Sequence, residues 1–250
     1  MKFNSRNIVF DTGPIINFAI TGLLPKLTEL KKKYNGDFII TSSVERELID
    51  RPLSSKKFRL EALQVLKEIQ SGSFKVFNDK AVSNLTKELL DLSNSCFKAK
   101  GNWIRIVSYA EISVLATAIH LESESVVIDE RTTRLLVEDP LKIKSILQKK
   151  LHVNVEVDKD KIRMLRELLK DLKVLRSVDL AVIMFEKGIF DEYIISGRKL
   201  NSSGLYHYNF THPKLLILES LLWALKLNGC SVQNREISEI LKLEKNSLKL

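Results

Sequence analysis

The sequence predicts an α/β fold, with a parallel sheet flanked by helices over residues 1–155 and a helical C-terminal extension over residues 156–250. Three observations predict it. Short apolar runs rich in β-branched and aromatic residues recur at 7–10, 38–40, 74–77 and 126–128. Longer stretches with apolar residues at helical spacing separate them, and strands that alternate with helices form parallel sheets because parallel neighbours need crossover connections. Beyond residue 157 the spacing becomes mainly helical.

The elements follow in order. Residues 7–10 (NIVF) end in Asp11-Thr12-Gly13-Pro14, a buried strand running into a turn and a helix start. Residues 38–40 repeat the pattern, with Thr41, Ser42 or Ser43 placed to cap a helix over 44–50. A helix over about 55–69 breaks at Ser71-Gly72-Ser73, ahead of the third strand. Over 80–100, Leu85, Leu89, Leu92 and Cys96 recur at helical spacing, and Gly101-Asn102 closes that element. Residues 109–121 put Ile112, Leu115, Ala116 and Ile119 on one helical face, and the strand at 126–128 again ends at an acid, Asp129. Residues 153–157 read as the last strand. In the extension, Ile162, Leu165, Leu168, Leu169, Leu172 and Leu175 mark one helix and 179–187 another. The strongly apolar segment 215–227 calls for burial against the α/β domain or in a homodimer.

Composition narrows the function classes. With 44% hydrophobic residues in 250, the chain has the material for a large core and not for a disordered tail. No apolar run approaches the roughly 18 residues of a membrane span, and the start MKFNSRNIVFD lacks the features of a signal peptide. The expected location is therefore the cytoplasm, with no membrane partner. Cys96 and Cys230 match no CxxC pattern, so neither a disulfide framework nor a thiolate zinc site is indicated. A formal charge of +9, spread along the chain, favours a polyanionic partner.

Four acids stand out by position. Asp11 and Asp129 end strands, Glu47 lies in the helix after the second strand, and Glu111 lies near the start of the helix leading to Asp129. In open parallel sheets the carboxyl ends of the strands form the ligand crevice, where groups distant in sequence converge. Each acid alone has a plainer reading as a helix cap or as a first-turn charge favoured by the helix dipole. Gathered together they would need a cation, since carboxylates sharing a site repel one another. Oxygen-only ligands suit Mg²⁺ or Mn²⁺, which lower the pKa of a bound water and stabilise in-line attack on a phosphodiester.

Three segments together resemble the PIN-domain family: IVFDTGPIINFA (8–19), FIITSSVEREL (38–48) and YAEISVLATAIHLESESVVIDERTTRLL (109–136). The first is similar to the family's strand followed by Asp-Thr-Ser, and Asn17 matches a polar residue of the following helix. Val44 and Glu47 carry the Val-x-x-Glu pattern, and Glu111 and Asp129 stand where the family has its third and fourth acids. The resemblance implies a PIN-like fold and an endoribonuclease dependent on Mg²⁺ or Mn²⁺, with Asp11, Glu47, Glu111 and Asp129 holding the metal and its activated water. It implies auxiliary roles for Thr12, whose hydroxyl would orient Asp11 or a water, for Asn17 and for Glu130. Gly13 departs from the family's usual Ser, and 51–107 is longer than in compact members.

Arg131 and Arg134, next to Asp129, are the basic residues expected to bind RNA. The loop 201–213 carries Tyr206 and Tyr208, read as core anchors before RNA-stacking groups, and His207 and His212, at most half a zinc site. An antitoxin is a further expected partner if the chain is the toxin half of a toxin-antitoxin pair. Two helices flanking Gly229-Cys230-Ser231 resemble part of a helix-turn-helix, with a scaffold or dimer role preferred over DNA binding.

Overall fold

The computed structural model of the chain describes residues 6–194 and 212–248. The first strand, β1 (Ile8–Phe10), is buried throughout and leads through Asp11 into α1 (Thr12–Ile20), followed by α2 (Leu24–Lys33). β2 (Phe38–Thr41) leads through a Thr41 side-chain cap on the Val44 N–H into α3 (Ser42–Glu45). The helix then widens into a π-helical turn over Arg46–Asp50 before α4 (Arg51–Ser54). Pro52 explains the widening: it has no N–H to donate and its ring crowds the carbonyl four residues back, so the turn opens and Arg51 donates to the Arg46 carbonyl.

α5 (Arg59–Gln70) precedes β3 (Lys75–Phe77) and α6 (Lys80–Ser93). The chain then forms a hairpin, β4 (Phe97–Ala99) with β5 (Asn102–Trp103), ahead of α7 (Tyr109–His120) and β6 (Ser125–Val127). α8 (Arg131–Glu138), α9 (Leu141–Leu151), β7 (Glu156–Val157), α10 (Lys159–Leu169), β8 (Lys173–Leu175) and α11 (Ser177–Glu186) complete the α/β part. α12 (Pro213–Leu227) and α13 (Asn234–Ser247) form a helical hairpin.

The main sheet has five strands in the order β3-β2-β1-β6-β8, every pair parallel. Helices cover it, and its central strands are buried along their whole length, as expected where both faces of a parallel sheet pack. Phe10 joins Phe38 and Phe74 in an aromatic cluster, with ring centroids 4.9 and 5.4 Å from Phe10. The strand order also locates the crevice. From β1 the chain proceeds outward through β2 and β3 on one side, then returns to place β6 and β8 on the other. The reversal lies between β1 and β6, the position where open α/β sheets bind ligands.

Three sequence expectations are corrected. The helix expected over 80–100 stops at Ser93. Asn94 takes the C-cap position, and its side chain accepts from the Ile106 and Val107 N–H groups at 2.7 and 3.1 Å and donates to the Val107 carbonyl at 3.0 Å, so the chain beyond it turns back as the hairpin. The strand expected at 153–157 pairs antiparallel with β4 in a separate three-stranded sheet. The main sheet's edge is instead β8, where Leu172 and Leu175 had continued a helical spacing. The sheet thus continues past residue 155, and after β8 the described residues are helical or loop. Of the loop 201–213 only His212 and Pro213 lie within the described residues; Tyr206, His207 and Tyr208 lie outside them.

The apolar segment 215–227 finds its burial within the chain. Leu218, Leu221, Leu222 and Leu225 of α12 are buried, with α11 and α13 packed against that helix. Among the described residues, no helix is long and apolar enough to cross a membrane.

Candidate acidic centre

Asp11 and Asp129 follow the two strands on either side of the crevice and are 5% and 3% exposed. Backbone pairing carries them there: the Asp11 N–H donates to Val127 O at 3.0 Å, and the Ile128 N–H to Leu175 O at 2.8 Å. Phe10 fills the core, and Asp11 opens the next element. The two acids converge over Gly13, where a side-chain carbon would lie 3.7 Å from Asp129 Cβ and 3.8 Å from Asp11 Oδ2.

Asp11 holds the N-cap position of α1 without the side-chain bond to the second or third helical N–H that a cap makes. Its carboxyl is pushed up to about 7, chiefly by desolvation. A hydrogen bond with the Thr12 backbone lowers it, and the charges of Glu111, Glu47 and Asp129 raise it further. The other three acids singled out from sequence therefore lie within electrostatic reach of Asp11.

The other three have partners of their own. Asp129 Oδ1 accepts from the Ser177 N–H at 2.7 Å, and Oδ2 from Asn17 Nδ2 at 2.9 Å. Glu47 lies in the π-helical turn, a local widening that recurs at functional sites. Its Oε2 accepts from the Thr12 hydroxyl at 2.9 Å, and Oε1 pairs with Arg51 at 2.9 Å. Thr12 thus orients Glu47, where the resemblance implied Asp11 or a water. Glu111 folds back into a capping box: its Oε2 accepts from the Ser108 N–H at 2.6 Å, and its own N–H donates to Ser108 Oγ. For Glu111 the plainer helix-cap reading is also present. Glu130 caps α8, accepting from the Thr133 N–H at 2.6 Å.

Asn17 is 1% exposed, and its Oδ1 has no hydrogen-bond partner among the described residues. A buried acceptor of that kind beside the Asp129 carboxylate is suited to a water that donates to it. Among the described residues no group of three or more acidic, histidine or cysteine side chains has the spacing to hold a metal by itself. Mg²⁺, however, keeps several of its waters and takes one or two carboxylates directly. Asp11 and Asp129 over Gly13, with Glu47 and Glu111 within electrostatic reach, fit that mode of binding in donor chemistry and in charge.

Three contributors escaped the sequence reading. Ser177 fixes Asp129 through a backbone N–H, which carries no side-chain signature, and its position became readable only with β8 recognised as a strand. Cys230 borders the same acid: burial, followed by the Asp129 charge, pushes its thiol up to about 12, so it is an inert neutral group at ordinary pH. The Ser231 N–H also reaches the Asp129 carbonyl at 3.3 Å.

No family model, curated protein or solved structure matches the chain.

Proposed function

We propose that the chain is a PIN-like endoribonuclease dependent on Mg²⁺ or Mn²⁺, with Asp11 and Asp129 as direct ligands and Glu47 and Glu111 acting through the ion's waters. The observation that carries this reading is the buried Asp11, whose proton affinity is raised by burial and by three other acids at the sheet's reversal point. Concentrated negative charge held out of water destabilises a fold and is retained where a cation or a reaction uses it. The ion would supply a more acidic water and neutralise charge on the phosphodiester. The chain's own part is positional. Asn17 and Ser177 hold Asp129, Thr12 holds Glu47, and the orphan Asn17 oxygen offers a place to fix a water.

The purified protein should cut single-stranded RNA with Mg²⁺ or Mn²⁺ and stop when EDTA is added. Asp11→Asn and Asp129→Asn should each lower the rate at least a hundredfold, on the order of 3 kcal/mol of transition-state stabilisation. Parental rates in both variants would remove these acids from the reaction.

A second reading, a non-catalytic RNA-binding protein with the same fold, is favoured by the diversion of Glu111 into a cap and of Glu47 onto Arg51. Calorimetric titration with Mn²⁺ separates the two. A nuclease centre binds the ion and loses it in Asp11→Asn, whereas a degenerate one gives no Asp11-dependent heat.

A further inference from the structure

A cleft of about 670 Å³ lies between α8 and the α12–α13 hairpin, and its lining includes Arg131 and Arg134 on one side and Lys226, Cys230 and Ser231 on the other. It adjoins the acidic centre, because Ser231 bonds to the Asp129 backbone and Arg131 is two residues beyond Asp129. The cleft's three carboxylates already have cations. Glu138 meets Arg134 at 3.6 Å, Glu236 meets Arg176 at 2.9 Å and Glu239 meets Arg235 at 2.8 Å. Lys142, also in the lining, pairs with Asp139 at 3.5 Å.

Positive charge is left over after this pairing. Among the described residues Arg131 has no hydrogen bond or ion pair, and Lys226 donates to the neutral Val232 carbonyl at 2.6 Å, with no carboxylate in ion-pair range. Arg134 is largely buried, and its Nε faces the Glu138 carboxylate at 3.6 Å, an ion pair beyond hydrogen-bond distance, so it is not part of the free charge. One of the two free cations, Arg131, comes from α8 and the other, Lys226, from the hairpin, so a strand with regularly spaced negative charges can be held from both sides.

We infer that this cleft binds the sugar-phosphate backbone of single-stranded RNA, with Arg131 and Lys226 taking phosphates, Arg134 adding to the positive field of the α8 wall and the hairpin serving as the second wall of the substrate path. Arg131 and Arg134 thereby acquire a partner from the C-terminal extension. The choice of RNA rests on the nuclease reading of the acidic centre; the anion-binding character rests on the cleft alone.

The test uses the full chain in EDTA, so that nothing is cut, with a fluorescent single-stranded RNA of about 20 nucleotides followed by anisotropy at several salt concentrations. Arg131→Glu changes an exposed side chain and leaves the core untouched. It should weaken binding about tenfold and, with Lys226→Gln added, flatten the dependence of log affinity on log salt by about 1.4, roughly 0.7 per lost phosphate contact. Arg131→Lys should retain most of the affinity. Lys56→Glu, the same charge reversal at an exposed position outside the cleft, should change it less than threefold.

Equal binding by the parent and the Arg131→Glu, Lys226→Gln variant would overturn the inference, as would an equal loss in Lys56→Glu. Displacement of the RNA by poly-glutamate at matched charge would also overturn it, assigning the cleft to an acidic protein. The nuclease reading fails separately. Cleft-dependent binding without cutting in Mg²⁺ or Mn²⁺ leaves the cleft standing and removes the nuclease; cutting with binding indifferent to Arg131 and Lys226 does the reverse.

Discussion

At the scale of single residues, Asp11 carries the largest energetic consequence. Its carboxyl titrates near 7 in the folded chain against 3.8 for the ordinary group. Between these values the folded state holds a proton that the unfolded state has released, so stability from this group is full below about pH 4 and falls as pH rises through 7. The metal-free protein should therefore lose stability between pH 5 and 8, by as much as about 3 kcal/mol from this residue, most of it below pH 7. Asp11→Asn should flatten that slope and raise the melting temperature at pH 8 in EDTA; calorimetric scans at both pH values check it, and added Mn²⁺ should stabilise the parent more than the variant. Gly13 is a second case. A side-chain carbon there meets only ordinary contacts of 3.7 and 3.8 Å, and the residue sits in a helix. Gly13→Ser should fold with a gain of up to about 1 kcal/mol, placing a hydroxyl beside both acids, as urea denaturation and cleavage assays would record.

At the scale of elements, side-chain bonds at turns decide where the chain changes direction. Asn94 is the clearest example, since it satisfies two N–H groups and one carbonyl of the segment leading into α7. Asn94→Ala should cost about 2 to 3 kcal/mol in chemical denaturation, because those backbone groups lose their partners. Ser108→Ala should cost about 1 kcal/mol by removing one half of the capping box. The same turns mark where the sequence was legible and where it was not. β1, β2, β3 and β6 could be read because each is a short apolar run closed by a turn or a polar group, and α7 because its apolar face repeats over twelve residues. The end of α6 could not, since Cys96 and Leu92 kept the helical spacing while the deciding bonds come from residues 12 and 13 positions away. β8 failed for the same cause: Val174 pairs with Val126, a partner absent from any local window. In the candidate site the strand-end acids were legible as positions in a crevice. The capping role of Glu111 and the Thr12–Glu47 bond required coordinates.

At the scale of the whole molecule, the sheet joins parts of the chain that the sequence divided at residue 155. β8 supplies its edge, α11 begins with the N–H that fixes Asp129, and the hairpin turn adds the Ser231 bond to the same residue. A fragment ending at residue 155 lacks all three and exposes the unpaired side of β6. It should aggregate, or remain partly folded by circular dichroism and urea titration, while the full chain unfolds cooperatively.

The bond from Ser177 to Asp129 also bears on how the protein is made. Synthesis delivers β1, β2, β3 and β6 to the growing fold before residue 177 exists, so a nascent chain can assemble most of the sheet while the Asp129 carboxylate still lacks one of its anchors. If the acidic centre is the nuclease site proposed above, it would stay incomplete until residue 177 has been made, leaving the earlier part of the nascent chain without its working geometry.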